Sequence, residues 1–233
     1  MVEEIFVNCN KLPDILAFTE TKLNEKTPIP TLAGYSFEHV DSTSACGGVG
    51  VFISETIEYS LRNDLNLNTH GCEDMWIELN VRINESKSSS DRFEKLVIGT
   101  IYRHPSSQYQ QFCENLCSSI EILNRSKTKY VLVGDTNIDI SKFNLVSSVT
   151  DYINSLFSVG CSFHIDKPTR ISSHSASCID HVYSNLPADC LDNHIILSDV
   201  SDHFGIITKV SGSAKEYRNE PIYYRKSRLS DHE

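Results

Sequence analysis

Tyr130-Val131-Leu132-Val133-Gly134-Asp135-Thr136-Asn137 is the stretch on which the reading of this chain turns. Four residues suited to a buried strand run into a glycine, and two short polar side chains follow one residue apart. An apolar run of that length, stopped by Gly, reads as a fully buried strand. In an extended segment, positions i and i+2 share a side. Asp135 and Asn137 are therefore expected to project together from the strand's C-terminal end, a frequent place for catalytic groups in layered α/β folds. A carboxylate that only accepts hydrogen bonds, beside an amide, suits a site that orients water and stabilises anionic oxygen. Taken alone, the stretch reads equally well as a strand ending in a polar turn.

Its neighbours tip the balance. Ile15-Leu16-Ala17-Phe18 reads as another buried strand, and it delivers Glu20 at its end. A carboxylate there is a natural ligand for a hard cation. Tyr35, Phe37 and His39 alternate with polar residues, Cys46-Gly47-Gly48 turns, and Val49–Ile53 returns, which makes a hairpin. Residues 63 to 74 read as polar loop, and Met75–Ile83 alternates cleanly. Glu85–Asp91 is a low-complexity hairpin tip. Leu96–Tyr102 answers as a strand, ended by Arg103-His104-Pro105, and leaves Tyr102 at a strand end as Glu20 is. Residues 108 to 124 follow a helical period with Phe112, Leu116, Ile120 and Leu123 on one face. A second helix is expected near 145 to 158, with Val149, Tyr152, Ile153, Leu156 and Phe157 apolar and Gly160 after it. Ile179-Asp180-His181-Val182-Tyr183 is a short strand with charges set into it, costly unless they are paired. His194–Leu197 and Phe204–Val210 complete the strands, with Ser201-Asp202-His203 before the last.

The bulk properties bound the function. With 233 residues, 39% hydrophobic, the chain can bury a substantial core. No apolar run reaches the length of a membrane span, and Met1–Val7 lacks a signal-peptide pattern, so an intracellular protein with no membrane partner is expected. A net charge of −10 argues against tight autonomous binding to nucleic acid. It is compatible with a nuclease, whose metal ion supplies local positive charge. Eight scattered cysteines, with no Cys-x-x-Cys pair, read as reduced thiols and not as a zinc site. No internal repeat or domain boundary is visible. One domain over residues 1–210 is expected, followed by a polar tail over 211–233 that holds five basic and two acidic residues between Lys215 and Arg228. Many alternating strands with two or three helices indicate α/β architecture, sheet packed on sheet with helices outside.

Glu20, Tyr102, Asp135, Asn137, Asp180, Asp202 and His203 all fall at the end or edge of an expected strand. In this order the segments Leu16–Thr21, Ile101–Pro105, Gly134–Asn137, Lys167–Arg170, Ile179–His181 and Ser201–His203 resemble the endonuclease/exonuclease/phosphatase superfamily. The Gly47-Gly48-Val49-Gly50-Val51 hairpin and the Asp166-Lys167-Pro168-Thr169-Arg170 run narrow the resemblance to the apurinic-type endonuclease of non-LTR retrotransposons. The likeness spans Pro13 to about Val210. It implies a four-layered α/β sandwich that hydrolyses DNA phosphodiesters with Mg²⁺, Mn²⁺ being the alternative ion. By resemblance, Glu20 is a metal ligand and Asp202 an acidic residue near the metal. Asp135 orients or deprotonates water, Asn137 holds that group and the phosphate, Asp180 pairs with the catalytic His203, and Tyr102 touches phosphate. Thr169 and Arg170 are carried over as substrate contacts. Nuclear localisation and a reverse transcriptase partner follow from the same likeness. The chemistry agrees, because a histidine held by a carboxylate has its tautomer set and its cation favoured.

Three departures stand out. The family opens with a strand bearing an asparagine well before the glutamate, whereas here 19 residues precede Glu20 and Val2–Lys11 resembles the helix that follows that strand. A missing first strand is therefore expected. Thr136 stands where this branch often has an aromatic residue, which is expected to trim core packing. A reverse transcriptase is expected in a full-length element, and these 233 residues are expected to be the endonuclease part alone. An impaired remnant with weak DNA binding is the competing expectation, and a phosphoinositide or RNA phosphodiesterase a third.

Overall fold

The computed structural model describes residues 12–42, 44–82, 93–197 and 201–211. The expected helix at 2–11, the hairpin tip at 85–91 and the tail after 211 lie outside the described residues. Strands are β1 (Ile15–Thr19), β2 (Tyr35–Val40), β3 (Val49–Ser54), β4 (Tyr59–Leu61), β5 (Cys72–Arg82), β6 (Phe93–Arg103), β7 (Lys129–Asp135), β8 (Ser162–Phe163), β9 (Arg170–Ile171), β10 (Ala176–Ser177), β11 (Asp180–Ser184), β12 (Leu191–Ile196) and β13 (Gly205–Val210). Helices are α1 (Tyr109–Arg125) and α2 (Ser147–Ser158).

β4-β5-β6-β7-β11-β8 form a mixed sheet in which only β6 and β7 run parallel. Parallel neighbours need a crossover, and α1 supplies it. The helical face expected from the sequence is the buried one: Phe112, Leu116, Ile120 and Leu123 are fully buried against Val97, Ile101, Tyr130 and Leu132. α2 adds Val149, Tyr152, Ile153 and Leu156 to that layer. Phe157, at the margin of the apolar stripe, is half exposed and meets Phe163 edge-on at 5.7 Å.

The other face of the large sheet packs on a three-stranded sheet, β1-β3-β2, and on the β12-β13 ribbon. Val49, Val51 and Ile53 meet Met75, Ile77, Ile98, Val131 and Val182 there, all buried. This is the expected α/β sandwich of two facing sheets with helices outside. Among the described residues, the outer face of the smaller sheet carries no helix.

The segment expected as loop up to residue 74 differs. β5 begins at Cys72, so Glu73 and Asp74 lie inside the strand, 2% and 8% exposed. Charged residues read as loop, but here each has partners. Glu73 meets His104, and one oxygen of Asp74 accepts both the Trp76 indole N–H at 2.6 Å and the Leu67 N–H at 3.0 Å. Burial pushes the Asp74 carboxyl up to about 6.

Candidate active site

Strand pairing builds the site. Glu73 stands opposite Tyr102, Tyr102 opposite Asp135, and Asp135 opposite Asp180. These four make one row across β5, β6, β7 and β11. Residues directly opposite one another share a face, and this face is the one turned to the smaller sheet, since Met75, Val131 and Val182 keep the same parity. The row sits at the C-terminal ends of β6 and β7, where the apolar core gives out.

Asn137 reaches the site differently from expectation. β7 ends at Asp135, and Asn137 sits at φ 51°, in the left-handed region that Asn tolerates. Its N–H donates to Asp135 Oδ1 at 2.8 Å and its Nδ2 to the Arg103 carbonyl at 2.8 Å. A turn, not strand alternation, brings the amide beside the carboxylate. Gly134 makes the close strand contact beneath it: at φ 141° a Cβ would lie 1.9 Å from the Ile101 carbonyl oxygen. Thr136 is fully buried, its N–H on Ile179 and its hydroxyl 3.4 Å from Tyr183, which reaches Tyr152 at 2.9 Å. Hydroxyl contacts occupy the place where trimmed packing was expected.

His203 is brought in by the segment before β13, which bridges to Arg170. Its Nδ1 lies 3.0 and 3.1 Å from the two Asp180 oxygens. The Asp180 carboxylate holds the imidazolium above its ordinary range against the cost of burial. Asp135, Asp180 and His203 offer ligand atoms within 4.8 Å of one another. Asp135 is pushed up chiefly by burial and then by the Asp180 charge, with a smaller push from Glu20.

Glu20 follows β1 in the left-handed region, φ 54°, where a glutamate rarely sits. Its Oε1 accepts the Tyr102 hydroxyl at 2.9 Å. Burial first, and then that bond, push the Tyr102 phenol upward. Glu20 thus comes from the smaller sheet to the row on the larger one.

Three expected residues have other surroundings. The Asp202 carboxylate, half exposed, is held by Arg170 Nε at 2.7 Å and lies outside the Asp135–Asp180–His203 group. Arg170 is half exposed at the rim, with its Nε on Asp202. Thr169 is fully buried. Its Oγ1 accepts the N–H groups of Ile179 and Asp180, which fastens the start of β11. Glu73 and His104 were missed by sequence reasoning. Glu73 shares parity with Met75, Ile77 and Leu79, and that was the available signal. His181, next to Asp180, faces the helix layer. It is fully buried with its pKa pushed down to about 4, and its Nε2–H donates to the Ile138 carbonyl at 2.9 Å.

The donor set fits a hard divalent cation. Asp135 and Asp180 place two carboxylates about one partly buried space with His203 as the opposing charge, and Glu20, held on the neighbouring Tyr102 hydroxyl, adds a third negative charge felt by Asp135. Oxygen ligands with surplus negative charge are what Mg²⁺ or Mn²⁺ takes.

Such an arrangement belongs to hydrolases that attack phosphoesters with the help of a metal ion. The sequence matches the Endonuclease/Exonuclease/phosphatase family over residues 3–232, and the chain belongs to that family. Among solved structures it is similar to a 3'-5' exonuclease from Neisseria meningitidis, with a TM-score of 0.63, 16% identity, and 90% of this chain and 95% of that one covered. It is also similar to the catalytic domain of Xenopus laevis APE2, with a TM-score of 0.62, 16% identity, and coverage of 92% and 89%. The endonuclease domain of TRAS1, a telomere-specific non-LTR retrotransposon, gives a TM-score of 0.58 at 12% identity, covering 77% and 81%. At these identities the likeness is one of fold. A search of curated proteins found no match.

Proposed function

We propose that this chain is a Mg²⁺-dependent endonuclease that nicks DNA, of the kind carried by non-LTR retrotransposons. The observation that carries the reading is the single row Tyr102–Asp135–Asp180, closed from one side by Glu20 and from the other by His203. The retrotransposon assignment is supported by the Gly47-Gly48 hairpin and the Pro168-Thr169-Arg170 run.

A divalent cation held by Glu20, with Asp135 or Asp180 beside it, would supply charge for the phosphate oxygens and the leaving oxygen. Asp135 takes the proton of the attacking water, with the Asn137 N–H on Oδ1 holding it in one orientation. His203 gives one N–H to Asp180 and, as imidazolium, offers Nε2–H to a phosphate oxygen. The Tyr102 hydroxyl, bonded to Glu20, stands between the metal ligand and the row. Arg170 adds positive charge at the rim. A reverse transcriptase as working partner and the nucleus as place of action go with this reading.

The test is conversion of supercoiled plasmid to open circle by the purified chain, with Mg²⁺ or Mn²⁺ and with EDTA. Metal-dependent nicking supports the proposal. A folded chain that leaves the plasmid intact with either ion would make it an impaired remnant. Cleavage of RNA or a phosphoinositide but not DNA would move the substrate class.

A further inference from the structure

A second histidine–carboxylate pair adjoins the site, and neither member has a place in the mechanism above. His104 Nε2 lies 3.1 and 3.3 Å from the two oxygens of Glu73. Glu73 belongs to the catalytic row, directly opposite Tyr102, and its side chain is 1% exposed. The His104 ring stands edge-on to the Tyr102 ring at 4.9 Å, and the Tyr102 hydroxyl holds Glu20. That is one path from the pair to the metal carboxylate.

A second path runs through the glycine turn. A Cβ on Gly47 would sit 2.7 Å from His104 Nε2 and 2.9 Å from Glu73 Oε2, so the backbone of Gly47 rests directly on the pair. The Gly47 carbonyl accepts the Lys22 N–H at 2.8 Å and the Gly48 carbonyl accepts the Thr21 N–H at 3.3 Å. Those two residues follow Glu20, and both Glu20 and Lys22 are held at positive φ, 54° and 56°. Sparsely populated backbone conformations persist only where the surroundings over-determine them. Here the surroundings are the turn, and the turn lies on His104 and Glu73.

We infer that His104 and Glu73 are a positioning pair that sets the orientation of Glu20 for its metal ion, acting through Tyr102 and through the Gly47-Gly48 turn. The inference rests on the proposed metal-dependent reading of the same site. Neither residue touches substrate. The pair accounts for Gly47, on which a Cβ would meet both members, and for the His104 of Tyr102-Arg103-His104-Pro105.

The test is metal affinity, measured as free Mn²⁺ by electron paramagnetic resonance and, separately, as the Mg²⁺ dependence of nicking. His104→Ala should weaken Mn²⁺ binding by up to about 10-fold, the low end of what losing a direct outer partner of a metal ligand costs, because Tyr102 and the turn stand between His104 and Glu20. The Mg²⁺ concentration for half-maximal nicking should rise by a similar factor. His104→Gln, whose amide can still donate to Glu73, should recover much of the loss. A merely structural role would lower the urea midpoint and the rate at every metal concentration without moving the half-saturation point. Should His104→Ala fail to fold, His104→Gln and Gly47→Ala carry the measurement, and the latter should weaken metal binding both by pushing on the pair and by straining the turn at φ 127°. A wild-type chain that binds no Mn²⁺ overturns the proposed function and this inference with it. A wild-type chain that binds Mn²⁺, beside variants that bind it equally well, overturns the inference alone.

Discussion

His203 Nδ1 lies within hydrogen-bond distance of both Asp180 oxygens, although the two residues are 23 positions apart in the chain. The carboxylate favours the imidazolium, so the histidine's proton is held more tightly in the fold than in the free side chain. In metal-free protein the His203 ring, followed by NMR, should titrate above an ordinary histidine. Asp180→Asn should bring it down to or below the ordinary value. The stability this pair contributes is present below the unfolded histidine's pKa and is lost as pH rises through the folded one. An unchanged ring titration in the variant would remove the pairing from the mechanism.

In the proposed mechanism Asp135 acts on water rather than on the bound phosphate, so its contribution would belong to the transition state. Asp135→Ala should slow nicking by about 10²- to 10⁴-fold. DNA affinity, measured by fluorescence anisotropy, should change far less. Equal losses of affinity and rate would place Asp135 among the binding groups instead.

Asp74 offers a pH effect on stability that is separate from chemistry. Its folded pKa is raised to about 6 by burial, so the folded state binds a proton that the unfolded state has already lost. This group's contribution therefore falls as pH rises from the unfolded carboxyl's pKa through about 6, by about 2 kcal/mol between roughly pH 4.5 and pH 7. Both hydrogen bonds fall on a single Asp74 oxygen, so an asparagine can keep both. Asp74→Asn should be more stable than wild type at neutral pH, with the advantage shrinking toward acid. Urea midpoints of the two proteins across that range check it, and parallel pH profiles would refute it.

Gly134→Ala should abolish soluble folding. The added methyl would overlap the Ile101 carbonyl, and the backbone at φ 141° is closed to other side chains. A cost above about 4 kcal/mol is expected for such a clash, against a total stability of about 5–15 kcal/mol. Normal soluble yield and an unchanged urea midpoint would show that β6 and β7 can part there.

Much of this site was legible in the sequence because strand ends announce themselves. Glycine after Val133, Thr19-Glu20 after an apolar run and proline after His104 each mark where a ladder stops. The helical face of α1 was legible for the same reason, a period that only one backbone satisfies. Asn137 was placed in the right neighbourhood for an incomplete reason, since a left-handed turn lies outside what alternation describes. Glu73 and Asp74 were read as loop because they close a polar run, Asn66 to Gly71, that itself carries turn residues. The His104 partner of Glu73 becomes visible only when β5 and β6 are paired, whereas the Trp76 partner of Asp74 lies two residues on along β5 itself. Thr169 was carried over as a substrate contact from the resemblance of the Pro168-Thr169-Arg170 run; in the fold its hydroxyl accepts the N–H groups of Ile179 and Asp180 at the start of β11.

The row of Glu73, Tyr102, Asp135 and Asp180 has a consequence for how such a protein tolerates change. Neighbours in the row are spaced by the distance between paired strands, about 4.8 Å, which main-chain hydrogen bonds set whatever the side chains are. The gauge of the site is thus cut in peptide groups, and the loops between the strands are free to lengthen, shorten or drift without altering it. Two chains could share almost no sequence and still hold the same acids at the same intervals. What such a lineage could not survive is an insertion of one residue within β6 or β7, which would turn every group downstream to the opposite face.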